Sequence, residues 1–256
     1  KLLQMDLSLK NKTALITGCS AGIGESIAIN FSKNKTKCML ISRNRSKLVK
    51  LKKKLDKNIT GNSIFDFDLT DDRKLYSFLK KINLKNCPDF IIHNVGGTLD
   101  KKPPTSDYKD WLSVINFNVG IAIKINNMLI PFLKKKKFGR IVHISSISGI
   151  ALRGSAPYAC SKTLLNSYST TLARFLAKDN IVVSAIMPGS IIAKGTHWDN
   201  IRKTNPKMMK DFLRHHHATG RLGLASEISP WVMFLCSSYA TPFVTGANIN
   251  IDGGTM

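Results

Sequence analysis

Short apolar runs alternate with segments of helical periodicity along almost the whole chain, and this alternation limits the fold more than any other feature. The runs fall at 13–17, 37–42, 62–67, 89–93, 140–145, 181–187 and 247–251. Helical patterns occupy 22–33, 45–56, 71–82, 109–134, 157–178 and 226–238. Runs of Val, Ile and Leu with no polar alternation predict strands buried on both faces. Strict strand–helix alternation then predicts an α/β class protein: one doubly wound domain over 1–256, its parallel sheet of about seven strands covered by helices on both faces. At 256 residues the chain is long enough to bury one large core, and no repeat or low-complexity linker divides it. Residues 190–225 are less regular, with Gly195, Pro206, Gly220 and Gly223 as breakers.

The first strand, Thr13-Ala14-Leu15-Ile16-Thr17, runs into Gly18-Cys19-Ser20-Ala21-Gly22-Ile23-Gly24, and a helical pattern follows with Ile27, Ala28 and Phe31 on one side. Strand, glycine-rich turn and helix together make a site for a nucleotide. Glycines let the backbone approach a pyrophosphate, and the helix N-terminus offers free N–H groups and a positive dipole end.

Tyr158-Ala159-Cys160-Ser161-Lys162 carries a second signal. A spacing of four puts phenol and ammonium on one helical face, one turn apart. A tyrosine with an ordinary pKa near ~10 exchanges protons poorly at neutral pH. A lysine beside it is expected to favour the phenolate and bring that pKa down. Ser146 opens Ser146-Ile147-Ser148-Gly149 just past an apolar run, where a strand hands a hydroxyl to a site. Ser145 is adjacent, and the Ser-x-x-Gly pattern selects Ser146.

Taken together, these residues resemble the short-chain dehydrogenase/reductase family in its form of roughly 250 residues, with a likeness to its 3-oxoacyl reductases. Thr17-Gly18-x-x-x-Gly22-x-Gly24 matches that family's glycine motif, and Ser146, Tyr158 and Lys162 match its catalytic trio. Asp68-Leu69 follows the third strand, and His93-Asn94-Val95-Gly96 stands where the family has NNAG. Asn118 matches the asparagine of its fourth helix, Pro188-Gly189 follows the sixth strand, and Ile251-Asp252-Gly253-Gly254 resembles its usual ending.

The resemblance implies a Rossmann-type fold and reversible hydride transfer between a nicotinamide and a carbonyl or secondary alcohol. Tyr158 would move the proton, Ser146 would bind the reacting oxygen, and Lys162 would tune Tyr158 and hold the ribose. Asn118 would position a water linking Lys162 to solvent. The cofactor set it implies is Gly18, Ser20, Gly22, Ile23, Gly24, Ser42, Arg43, Asp68, Leu69, Asn94, Gly96, Tyr158, Lys162, Pro188, Gly189 and Ile191. It also implies a mobile substrate lid at about 190–220, and a homotetramer or homodimer built on the fourth and fifth helices. The substrate is expected to be a small carbonyl or alcohol: a 3-oxoacyl thioester, a sugar or a simple ketone. A dinucleotide-binding protein that keeps the fold without turnover is the alternative.

Cofactor choice rests on the end of the second strand. An acid there would bind the ribose hydroxyls of NAD(H), and an arginine nearby would accommodate the 2′-phosphate of NADP(H). Ser42 and Arg43 occupy these positions, which favours NADP(H) over NAD(H). Ala21 departs from the resemblance, because many NADP-using relatives carry a basic residue there. Ala193 stands where the family usually has a threonine, so a hydroxyl for the nicotinamide amide would come from Ser190 or Thr196, or be absent.

The net charge is +23, from 39 Lys and Arg against 16 Asp and Glu. Such a surface attracts anions at low salt, and it leans towards an acidic or carrier-bound substrate. Runs such as Lys52-Lys53-Lys54 and Lys134-Lys135-Lys136-Lys137 fit solvated helix ends, so no specific nucleic-acid partner is expected. Five cysteines without paired metal spacing predict free thiols, no metal and a reducing, cytoplasmic setting. No run of eighteen apolar residues occurs and Lys1–Met5 hold no long apolar core, so neither a membrane span nor a secretion signal is expected. His215-His216-His217 on one helix would face different ways. His143 is expected to be a hydrogen-bonded interior residue, and His197 and Trp198 to open the lid.

Overall fold

A computed structural model describes residues 6–193 and 197–255. Lys1–Met5, Lys194, Gly195, Thr196, Met256 and the side chain of His197 lie outside what it describes. In chain order the elements are β1 (Thr13–Thr17), α1 (Gly22–Lys33), β2 (Lys37–Ile41), α2 (Arg45–Leu55), β3 (Ser63–Phe65), α3 (Asp72–Leu79), β4 (Phe90–His93), α4 (Tyr108–Ile115) and α5 (Ile121–Lys136). There follow β5 (Gly139–Ile144), α6 (Ser148–Ala151), α7 (Ala156–Leu176), β6 (Ile181–Pro188), β7 (Ile191–Ile192), α8 (His197–Thr204), α9 (Pro206–His216), β8 (Gly223–Leu224), α10 (Ala225–Cys236) and β9 (Asn248–Ile251).

All seven expected strands join one parallel sheet in the order β3-β2-β1-β4-β5-β6-β9. The two-residue alternation of a strand sends its side chains to opposite faces. Ala14 and Ile16 meet Phe31, Leu48 and Val232 on the side of α1, α2 and α10. Leu15 and Ile91 meet Leu75, Ile125 and Leu176 on the side of α3, α5 and α7. Both faces are covered, which is why the strands read as unbroken apolar runs. The chain leaves β1 in opposite directions towards β2 and towards β4, and the gap between their C-terminal ends is where ligands bind in such sheets.

Caps set the helices that matter for the site. Asn44 accepts a hydrogen bond from the Lys47 N–H and starts α2. Ser155 accepts from the Tyr158 N–H and starts α7, which puts Tyr158 in the first turn. The helix expected over 109–134 is instead α4 and α5 joined by a π turn, Asn116–Gly120. This 29-residue stretch, Tyr108–Lys136, is apolar and long enough to cross a membrane by length and composition alone, although its sequence contains lysines and asparagines. Its apolar side, Ile121, Ile125, Leu129 and Leu133, belongs to the buried core.

Residues 190–225 are more regular than their breakers suggested. Pro206 occupies the start of α9, where its missing N–H costs nothing, and Asn205 caps that helix through the Met208 N–H. The proline is a helix initiator there. A small parallel pair, β7 with β8, fastens the two ends of this region.

Candidate active site

The turn after β1 is shaped by what its glycines avoid. Gly18 has φ of +65°, which an L side chain rarely adopts. A Cβ on Gly24 would stand 2.6 Å from Asn94 Nδ2 and 2.6 Å from the Gly18 carbonyl, so α1 can lie this close only without one. Asn94 Nδ2 donates to that carbonyl at 2.9 Å. Thr17 Oγ1 accepts from the Asn94 and Val95 N–H groups at 3.0 and 3.2 Å and donates to the Ile92 carbonyl. The turns after β1 and β4 are therefore one locked unit. Ala21 precedes α1 without a side-chain cap, so the first N–H groups of that helix stay open to an anion.

Two adjoining cavities open beside this unit and share Asn94 and Gly96. The first, about 430 Å³, brings together Gly18, Ser20, Ser42 and Arg43 with Asp68 and Leu69 from beyond β3. Asn44, Lys47, Phe67, Val95 and Phe117 also line it, and sequence reasoning did not select them. The second, about 230 Å³, brings Ser146, Tyr158 and Lys162 against Ile23, Pro188, Gly189 and Ile191. Gly22 and Gly24, expected at the cofactor, are not among the residues that line either cavity; a Cβ on Gly22 would come 3.7 Å from that of Ala193, so the residue standing for the family's threonine does lie on the glycine turn. Of the hydroxyls that could replace it, Thr196 is outside the described residues. Ser190 lines a separate small cavity with Thr219 and Arg221.

Asn118 sits in the π turn and is buried. Its amide donates to the Gly97 and Val114 carbonyls, both at 2.9 Å, and accepts from the Gly97 N–H at 3.0 Å. The side chain is thus occupied in holding the loop after β4, and a Cβ on Gly96 would stand 3.1 Å from Lys162 Nζ. π turns recur where a helix is distorted for function.

The electrostatics of the Tyr158–Lys162 pair differ from the sequence expectation. Lys162 is buried, its Nζ donates to the Ile144 carbonyl at 2.9 Å, and it lies 5.5 Å from the centre of the Tyr158 ring. Burial lowers its pKa to about 7. The Tyr158 pKa is raised, with burial the main cause and a hydrogen bond from Ser146 opposing it. Burial is the leading cause for both groups, and each is pushed towards its neutral form.

Beneath the second cavity, His93 and His143 stack 4.9 Å apart at paired positions of β4 and β5. His93 Nε2 lies 2.8 Å from Asn126 Oδ1, and His143 Nδ1 lies 2.9 Å from Ser169 Oγ. Asn126 Nδ2 also donates to the Tyr168 hydroxyl at 3.1 Å. Burial lowers both imidazole pKa values, that of His93 to about 4. Of the three consecutive histidines, His215 and His216 end α9, while His217 follows it, buried and extended, and bridges to Thr255.

The family model described as short chain dehydrogenase matches residues 12–204. The chain belongs to that family. It is 31% identical to the 3-oxoacyl-[acyl-carrier-protein] reductase of Buchnera aphidicola over 97% of this chain and 98% of that one. It is 28% identical to the Thermotoga maritima enzyme of the same name over 98% of this chain and 100% of that one. The crystal structure of L-sorbose reductase from Gluconobacter frateurii, complexed with NADPH and L-sorbose, superposes with a TM-score of 0.89 at 24% identity, covering 98% of each chain.

The cavities also suit a dinucleotide by their own shape. The turn glycines leave a cradle that side chains would fill, α1 begins at that turn without a side-chain cap, and the two cavities meet at Asn94 and Gly96.

Proposed function

We propose that this chain is an NADP(H)-dependent oxidoreductase that interconverts a carbonyl and a secondary alcohol. The junction of the two cavities carries this reading: one ends at Ser42 and Arg43, the other at Ser146, Tyr158 and Lys162. A nicotinamide dinucleotide bound across them, adenine end by Asp68 and Leu69, would supply the hydride that side chains cannot. The remaining work belongs to the chain.

Tyr158 gives its proton to the oxygen of the reduced carbonyl. Ser146, which already bonds the phenol, bonds that oxygen as charge develops on it. The position of Tyr158 in the first turn of α7 helps, because the positive end of the helix favours the phenolate left behind. Lys162 gains a proton readily near neutrality, and its Ile144 bond holds it under the ring. Asn118 acts as a positioning residue through Gly97.

For substrate we favour a 3-oxoacyl thioester on an acidic carrier. The full-length likeness to two reductases of that name and the net charge of +23 both support it. Exposed Leu112 on α4 and Leu164 and Phe175 on α7 support assembly into a homotetramer or homodimer through these helices. Five free cysteines, four of them buried, agree with a cytoplasmic setting. The reading is tested by mixing the protein with NADPH and either an acetoacetyl thioester or L-sorbose, and following loss of the reduced nicotinamide absorbance. Turnover of the thioester is expected; no oxidation of NADPH with any of a panel of carbonyl compounds overturns the enzymatic reading.

A further inference from the structure

The first turn of α2 violates the usual electrostatics of a helix start. Acids are favoured there, because they complement the positive end of the helix. α2 has none in its first turn; Arg45 and Lys47 occupy its first and third positions, and Arg43 precedes the Asn44 cap. Two of these three cations are answered by the segment after β3. Arg45 Nη1 bonds Asp66 Oδ1 at 2.8 Å, and Arg43 Nη1 lies 3.6 Å from Asp68 Oδ2. Burial would raise the Asp68 pKa, but hydrogen bonds from Thr70 and then the Arg43 guanidinium together hold it below its ordinary value, so Asp68 is anionic at neutral pH. Among the described residues, no carboxylate lies within ion-pair distance of Lys47.

Arg43, Asp68 and Lys47 line the same cavity, beside Ser42 and Asn44. Arg43 stands in an exposed ion pair with Asp68, whereas Lys47 brings this end of the cavity a positive charge with no carboxylate within ion-pair distance among the described residues. Ser42 Oγ accepts from the Asn44 N–H at 3.4 Å, which leaves its O–H to donate. Ala21, on the glycine turn, brings no charge.

We propose that Lys47 is the residue that makes this site select a 2′-phosphate, with Arg43, already paired to Asp68, as its partner. The inference rests on the NADP(H) reading and goes beyond it, because it moves the discriminating charge from the end of β2 to the first turn of α2. A lysine at the third position of a capped helix costs the helix a few tenths of a kcal/mol. Such a local cost is characteristic of a functional position.

The test is direct binding, followed by quenching of protein fluorescence, with NADPH, NADH, 2′-AMP and 5′-AMP as probes. The proteins are the wild type, Lys47→Gln, Lys47→Arg and Arg43→Gln. Lys47 is exposed, so these changes leave the fold intact, and thermal unfolding checks this. Lys47→Gln is expected to weaken NADPH and 2′-AMP by about tenfold or more, to leave NADH and 5′-AMP within about twofold, and to flatten the salt dependence of NADPH binding. Lys47→Arg should restore most of the affinity, and Arg43→Gln should lose less than Lys47→Gln. If the wild type prefers NADPH and Lys47→Gln changes nothing, or weakens NADPH and NADH equally, the inference falls while the cofactor reading stands. If the wild type binds NADH as tightly as NADPH, both fall.

Discussion

At the scale of single residues, the proposed chemistry depends on one phenol in an environment that resists its ionisation. Burial raises the Tyr158 pKa, and Ser146 only partly opposes it. A tyrosine kept protonated at neutral pH retains the proton that reduction of a carbonyl consumes. Tyr158→Phe removes only the hydroxyl and keeps the ring in the wall of the second cavity. Turnover should fall roughly 10²–10⁴-fold, the usual contribution of a positioned acid, with NADPH affinity nearly unchanged. Single-turnover kinetics with saturating NADPH check this, and activity within about tenfold of wild type would move the acid role to another group. The residues behind these roles could be read from sequence because their spacing encodes their geometry. A gap of four sets Tyr158 over Lys162, and glycines before a helix mark the cradle. Lys47, Asn44, Phe67 and Phe117 could not be read in that way, since only tertiary contact brings their three separate segments to one cavity. The one sequence-level trace of Lys47 was a cation in a first helical turn, and in a lysine-rich chain such a trace is lost. The direction of the Tyr158 shift was also hidden, since it depends on how deeply both partners are buried.

At the scale of elements, β4 and β5 are joined at their site-facing ends by two neutral histidines. The hydrogen-bond pattern fixes their protons. His93 donates from Nε2 to Asn126, and its Nδ1 is buried without a partner, so a second proton there would find no acceptor. The folded pKa of His93, about 4, lies below the unfolded value of ~6.5. Between these values the unfolded chain binds more protons, so stability rises with pH through this window and is lost as pH falls through it. The shift is worth on the order of 3 kcal/mol for His93 once the pH is below the folded value. Lys162, about 7 in the fold against 10.5 when exposed, acts above this window. We expect urea unfolding free energies to drop between about pH 6.5 and 5 in wild type, and less steeply in His93→Asn, which carries the family's usual residue. Parallel pH profiles for the two proteins would show that His93 does not drive the loss. The strands themselves were legible because burial on both faces removes any alternation, and their residues match the expected runs within a few positions. The π turn at Asn116–Gly120 was not, since no residue type marks an extra residue in a helix.

At the scale of the whole molecule, two features decide how the surface behaves. The first is charge. Lys52, Lys53 and Lys54 lie in the last turn of α2, and Lys134, Lys135 and Lys136 in the last turn of α5, where cations complement the helix dipole. Lys134 and Lys137 reach Asp179, and Lys136 reaches Asp89, so part of the basic surface serves the fold. The second is the proposed lid, residues 190–220. α8 and α9 pack mainly on each other, through Trp198 and Phe212 with ring centres 4.2 Å apart. Within α9 only Met209 is fully buried, whereas α7 buries nine residues. Arg153 Nη1 meets His216 Nδ1 at 3.0 Å, an exposed contact to the loop after α6. We propose that a unit with so little apolar burial against the sheet opens at less cost than the central helices. Trypsin should therefore cut first at Arg202, Lys203, Lys207 or Lys210, despite 39 lysines and arginines spread over the chain. NADPH with a carbonyl ligand should slow these cuts relative to later ones, because a lid that closes over both gains contacts that it lacks without them. Mass spectrometry of the first fragments reads the site directly. If the earliest cut falls in α2 or α5 and ligands leave the pattern unchanged, residues 190–220 form a fixed wall, and substrate choice must be sought in the loops after β4 and α6.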